Sequence, residues 1–194
     1  MAFSAEDVIQ HIVVAFERRS LEEGAPIFQS YSSEVDTEAI ERLARDTAWI
    51  DLPHEVLCDN PLALALMTPQ AFAWFLPAYL VMSITLYSET DTLTTTIITC
   101  LTPPDKADET QFAALVDEMH VLGVEVDEAW EGSVGEDSDL LQLFMERAAA
   151  LTQDEKAAVR DYLEHVDATH GADFPVFGPK QALDRYWRTA VPPR

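Results

Sequence analysis

Positive charge is scarce in this sequence. Twelve lysines and arginines stand against 35 aspartates and glutamates, a formal net charge of −23, and no Lys or Arg occurs between Arg45 and Lys106. A chain this acidic is repelled by nucleic acid and by anionic lipid, and it attracts basic proteins. A nucleic-acid or membrane-surface role is therefore disfavoured. Cysteine is scarce too. Cys58 and Cys100 are isolated, with no CxxC pair, which fits free thiols and not a disulfide framework. The start, "MAFSAEDVIQ", lacks the basic region and apolar run of a signal peptide and brings Glu6 and Asp7 instead, so a cytoplasmic protein is expected. There is no internal repeat, low-complexity tract or inter-domain linker. At 194 residues, 48 % of them hydrophobic, the economical reading is one domain over 1–194.

What the sequence does contain is a long stretch without charge. Asn60 to Ser88, 29 residues, carries none and includes "LMTPQAFAWFLPAYLVMSITLY". Its length exceeds the ~20 residues of a membrane helix. Pro69 and Pro77 interrupt it, however, and its flanks are the acids Glu55, Asp59, Glu89 and Asp91, so the basic anchors of a span are missing. Thr68 and Pro69 have the chemistry of a helix start, an N-cap hydroxyl followed by proline at the first helical position. Phe72, Phe75, Leu76, Tyr79, Leu80 and Ser83 then recur at helical spacing. Pro77 lacks the N–H that would bond the carbonyl of Ala73, so this helix must kink. A helix apolar nearly all round belongs at the centre of a bundle.

The remaining segments read as short helices. Ser4 caps a first one with the apolar face Val8, Ile9, Ile12, Val13 and Phe16, with a Phe3–Val8 staple. Residues 24–35 read as a loop, and a second helix runs from about Thr37 to Trp49. Turns follow around Pro53 and Pro61. "DTLTTTIITCL" has strand-like composition, but Leu93, Ile97, Ile98 and Leu101 keep helical spacing up to Pro103-Pro104. Asp108 to Leu122 forms a helix with a stripe of Phe112, Leu115, Val116, Met119 and Leu122. Thr152 and Glu155 make a capping box for a helix to about Val166, and Gly178-Pro179 opens a last helix holding Leu183, Tyr186 and Trp187. The expected fold is all-α, a single-domain bundle of about seven to nine short helices around the central Pro-kinked apolar helix.

Catalytic motifs are missing. There is no GxSxG, Walker A loop or GxGxxG. His54-Glu55-Val56-Leu57-Cys58 resembles the zinc-protease motif, but cysteine stands where the second imidazole of the metal clamp must be. His165, Asp167 and His170 straddle an expected helix end, and His11 and His120 have no partner at ligand spacing. In the acidic stretch 127–139, Ala129 occupies a calcium-ligand position. No enzyme activity, cofactor or metal site is expected.

The informative feature is where the acid sits. Residues 105–146 hold 13 acids against one base, Lys106, a net −12. Trp130 stands among Asp127, Glu128 and Glu131, with Glu136, Asp137 and Asp139 following. A charge run is usually a solvated face and a tryptophan is usually packed. An aromatic ringed by charge also suits an interface anchor, so these seven residues are the candidate partner-binding face.

"LMTPQAFAWFLPAYLV", an upstream Trp49 in "TAWIDLP", "LTPP", "LTQDEKAAVRDYL" and the terminal "ALDRYW" together resemble a family of small uncharacterised bacterial proteins. Its hallmark is an LTPxAFxxFLPAYL helix with a C-terminal ALxxYW. Thr68, Pro69, Phe72, Leu76, Pro77, Ala78, Tyr79, Tyr186 and Trp187 carry the resemblance, while Met67, inserted before Thr68, and the acidic segment 105–146 depart from it. The resemblance implies a helical fold and no activity. By analogy with acidic immunity proteins, the expected function is a non-enzymatic inhibitor of a basic nuclease- or deaminase-like toxin. The alternatives are a dispersed-site enzyme, such as a metal-dependent hydrolase, and an adaptor presenting an acidic face.

Overall fold

Ser4 opens the first helix, α1 (Ala5–Phe16), with both halves of a capping box. Asp7 N–H donates to Ser4 Oγ and Ser4 N–H donates to Asp7 Oδ2, each at 3.2 Å, which satisfies amides the helix leaves without partners. Val8, Ile12 and Phe16 are buried. The computed structural model describes residues 4–30, 35–89, 91–105, 137–174 and 177–192. Phe3 and the expected helix at 108–122 lie outside them.

α2 (Thr37–Asp46) is capped by Asp36, whose Oδ1 accepts from Ala39 N–H at 2.9 Å. It stops short of Trp49. Thr47 is extended, and Trp49 lies in a 3-10 turn (Trp49–Asp51) with its indole N–H donating to Phe16 O at 3.1 Å. A buried indole needs an acceptor, and the last carbonyls of α1 have none within their own helix. Tertiary hydrogen bonding thus outweighs continuing α2. The segments read as turns around Pro53 and Pro61 also contain short helices, α3 (His54–Asp59) and α4 (Ala63–Leu66).

α5 (Pro69–Thr85) is the central helix, kinked by the proline within it, Pro77. Thr68 Oγ1 accepts from Ala71 N–H at 3.3 Å and donates to Pro26 O at 2.8 Å, tying the helix start to the 24–30 loop. Residues Ala71 through Leu80 are buried without a break, as are Met82 and Ser83, so this part of the helix has no solvent face. Tyr79 Oη donates to Asn60 O at 3.4 Å, and Ser83 Oγ meets Tyr162 Oη at 2.9 Å. Beside Thr68, one isolated bridge pairs Phe28 with Met67. There is no β-sheet among the described residues.

α6 (Asp91–Leu101) is a helix despite its threonines. Thr96 and Thr99 fold their hydroxyls back onto the carbonyls of Thr92 and Thr95 at 3.0 and 2.9 Å, a bond that lets threonine sit in a helix. Leu93, Ile97, Ile98 and Leu101 point inward. α7 (Asp137–Ala149) buries Phe144 and Ala148. α8 (Gln153–His170) starts from the Thr152–Glu155 capping box and packs along α1. It runs past Val166 to His170 because its end is held from outside: Tyr87 stacks on the His170 ring at 3.4 Å and donates to Asp173 Oδ2 at 2.8 Å.

The last helix, α9 (Pro179–Ala182), continues through a π-helical turn (Leu183–Trp187) into Arg188–Ala190. Trp187 N–H donates to Leu101 O at 2.6 Å, and the Tyr186 and Trp187 rings both meet Phe144 edge-to-face, so they hold the corner where α6, α7 and α9 meet. Among the described residues the result is an all-α bundle of about nine short helices around α5. No helix among the described residues is long and apolar enough to cross a membrane.

Candidate functional site

Of the seven residues expected to bind a partner, Asp127, Glu128, Trp130, Glu131 and Glu136 lie outside the described residues, while Asp137 and Asp139 fall in the first turn of α7. The residues of the apolar motif, Thr68, Pro69, Phe72, Leu76, Pro77, Ala78 and Tyr79, line up along α5 and its cap as structural residues.

The structure gathers charge in two places that sequence spacing did not reveal. The first is the seam between α1 and α8. His11 Nδ1 lies 2.8 Å from Asp161 Oδ2, and Arg160 Nη2 donates to Asp161 Oδ1 at 3.3 Å. A carboxylate only accepts, so the proton of this contact sits on the histidine nitrogen. Just past the end of α1, Arg19 grips Glu155 with Nε at 2.8 Å and with Nη2, which also donates to Ala150 O at 2.9 Å. Asp161 and Glu155 are nearly fully buried. Buried carboxylates persist when paired and hydrogen-bonded, and these two engage two of the scarce arginines, Arg19 and Arg160. Beside the seam lies an open cavity of about 710 Å³ lined by His11, Arg18, Arg19, Ser20, Thr152 and Asp154, among others. His11 and Asp161 are 150 residues apart, so no local pattern could have paired them.

The second is an acidic surface on α3. Asp51, Glu55, Asp59 and Glu89 are exposed. Burial, followed by the charges of Asp59, Glu55 and Glu89, pushes the Cys58 thiol up. Ile50 and Leu62, in the flanking turns, are exposed at 57 % and 43 %. His54 is exposed at the start of α3, whereas Cys58 Sγ donates to Met82 Sδ at 3.5 Å. His165 and His170 both lie within α8, and His170 is occupied by Tyr87 and Asp173. Among the described residues no three His, Cys, Asp or Glu side chains are grouped to hold a metal ion.

The net effect is a partial sorting of charge. Arg19, Arg147 and Arg160 are drawn inward, while acids such as Glu17, Glu22, Glu23, Glu55 and Asp59 face outward. A family described as "Family of unknown function (DUF6714)" matches residues 4–122, more than half of the chain. That span includes the α5 motif and ends before Tyr186 and Trp187. No curated protein and no solved structure matches.

Proposed function

We propose, from the premise that the chain belongs to the family of unknown function DUF6714, that it is an acidic, non-enzymatic binding protein for a basic protein partner. The observation that carries this reading is the surface around α3: Asp51, Glu55, Asp59 and Glu89 are exposed, and Ile50 and Leu62 in the turns flanking α3 are exposed as well. Together they combine a steering field with apolar contact area, the two components of a protein-binding face. The acidic run Asp127, Glu128, Glu131, Glu136, Asp137 and Asp139, with Trp130, adds to the chain's excess of negative charge. In its finer form the partner is a cognate bacterial toxin of the nuclease or deaminase type, basic because its substrate is a polyanion. The protein then acts in the cytoplasm by covering the toxin's active site.

The test is co-purification of the partner from the native host, followed by association kinetics at two ionic strengths. Wild type is compared with a variant carrying Glu55→Gln, Asp59→Asn and Glu89→Gln, and with one in which the six acids at 127–139 are neutralised. Neutralising rim charges should slow association and flatten its salt dependence. Trp130→Ala should raise the off-rate by more than about tenfold if that ring is an anchor. Unchanged kinetics in both acid variants would overturn the reading. The dispersed-site enzyme has one observation in its favour, the buried Asp161 orienting His11 beside an open cavity. Turnover by wild type that His11→Gln abolishes would establish that reading instead.

A further inference from the structure

We propose that the groove between α6, α7 and Phe177 binds a linear alkanoate, with its carboxylate on Arg147 and its chain along the apolar wall. The groove is a cavity of about 430 Å³ whose lining includes Ile98, Pro103, Leu140, Leu143, Phe144 and Phe177. Small-molecule sites take this form, mostly apolar walls with a few polar groups that fix orientation.

Arg147 lies in the wall and is only 5 % exposed. Its Nη2 donates to Ala65 O at 2.7 Å and Met67 O at 2.8 Å, and the guanidinium sits 4.8 Å from the centre of the Phe72 ring. Its Nε has no hydrogen-bond partner among the described residues. The ionisable group beside it is Cys100, whose thiol burial pushes up to about 11. That thiol is neutral at pH 7 and supplies no countercharge. Arg160 and Arg19 each hold a carboxylate, whereas Arg147 is held by carbonyl dipoles and a ring face. A buried cation with no anionic partner, as Arg147 is among the described residues, is costly, and an anionic ligand would remove that cost.

The apolar walls decide what else the ligand must be. Leu140 and Phe177 are 57 % and 43 % exposed at the rim, available to cover an alkyl chain. The molecule's net charge of −23 opposes anions at long range. Physiological salt screens that field beyond about 8 Å, while a contact with Arg147 acts inside the screening distance.

The experiment is calorimetric titration of the full chain with octanoate, decanoate and dodecanoate below micelle formation, and with their methyl esters. Wild type, Leu140→Asp and Arg147→Met are compared. One-to-one binding is expected, tightening about fourfold per methylene until the groove is filled. The esters should bind about tenfold more weakly or worse, having lost a charge-assisted hydrogen bond. Leu140→Asp, at an exposed position, should weaken the acids by at least about tenfold, because it places a charge where the chain lies. Arg147→Met should erase the preference for acid over ester. If that variant does not fold, because Ala65 and Met67 lose their donor, the ester comparison and Leu140→Asp decide. Absence of binding, equal binding of acid and ester, or an unaffected Leu140→Asp would each overturn the proposal.

Discussion

Phe72 and Leu76 lie one turn apart on α5 and are buried almost completely. Neither can be trimmed without leaving a void, because α5 is enclosed on all sides from Ala71 to Leu80. Phe72→Ala and Leu76→Ala should each cost about 2–5 kcal/mol in urea unfolding, and a loss below about 1 kcal/mol would mean that side of the core is loose. Gly178 is constrained in a different way. A Cβ there would lie 2.7 Å from Phe174 Cβ, and neither a backbone-proximal carbon nor the α9 start can yield cheaply. Gly178→Ala should therefore destabilise by about 1–3 kcal/mol, as overpacking does, measured by the shift in urea midpoint. Both effects are set by close packing, not by chemistry at a site.

At the scale of elements, α8 depends on Glu155 twice. The side chain accepts from Thr152 N–H at 2.7 Å in the capping box and also pairs with Arg19, just beyond α1. Thr152→Ala removes only the cap and should cost about 1 kcal/mol. Glu155→Gln should cost more, since it weakens the cap and leaves Arg19 without its countercharge. A double-mutant cycle of Arg19→Met with Glu155→Gln should return a coupling of about 0.5–3 kcal/mol. A coupling near zero would mean the pair is solvated and that α1 and α8 are joined by apolar contact alone. The capping box was legible in the sequence because its residues are three apart. The Arg19 partnership was not, since 136 residues separate the two side chains.

For the whole molecule, the outward carboxylates repel one another. Raising salt from low to physiological strength shortens the screening length from about 30 Å to about 8 Å and should raise Tm, followed by circular dichroism. The inward pairs, Arg19–Glu155 and Arg160–Asp161, are largely buried and are screened little. A fall in Tm with salt would mean that attractive surface pairs dominate and that the acidic faces carry less self-repulsion than their charge implies.

Local patterns determined the helices and their starts. Thr68-Pro69, Thr152 with Glu155, and the uncharged run around Pro77 each act through neighbours within a turn or two, where spacing and geometry are equivalent. The acidic bias is likewise a sum over the chain and needs no coordinates. Only the tertiary structure decided which distant groups meet. Trp49 left α2 for the carbonyl of Phe16, Trp187 found the carbonyl of Leu101, and His11 found Asp161. Each of these contacts satisfies a buried or half-buried polar group, and the acceptor available to it depends on which helices are packed together. That choice is made by the core as a whole, so no stretch of sequence records it.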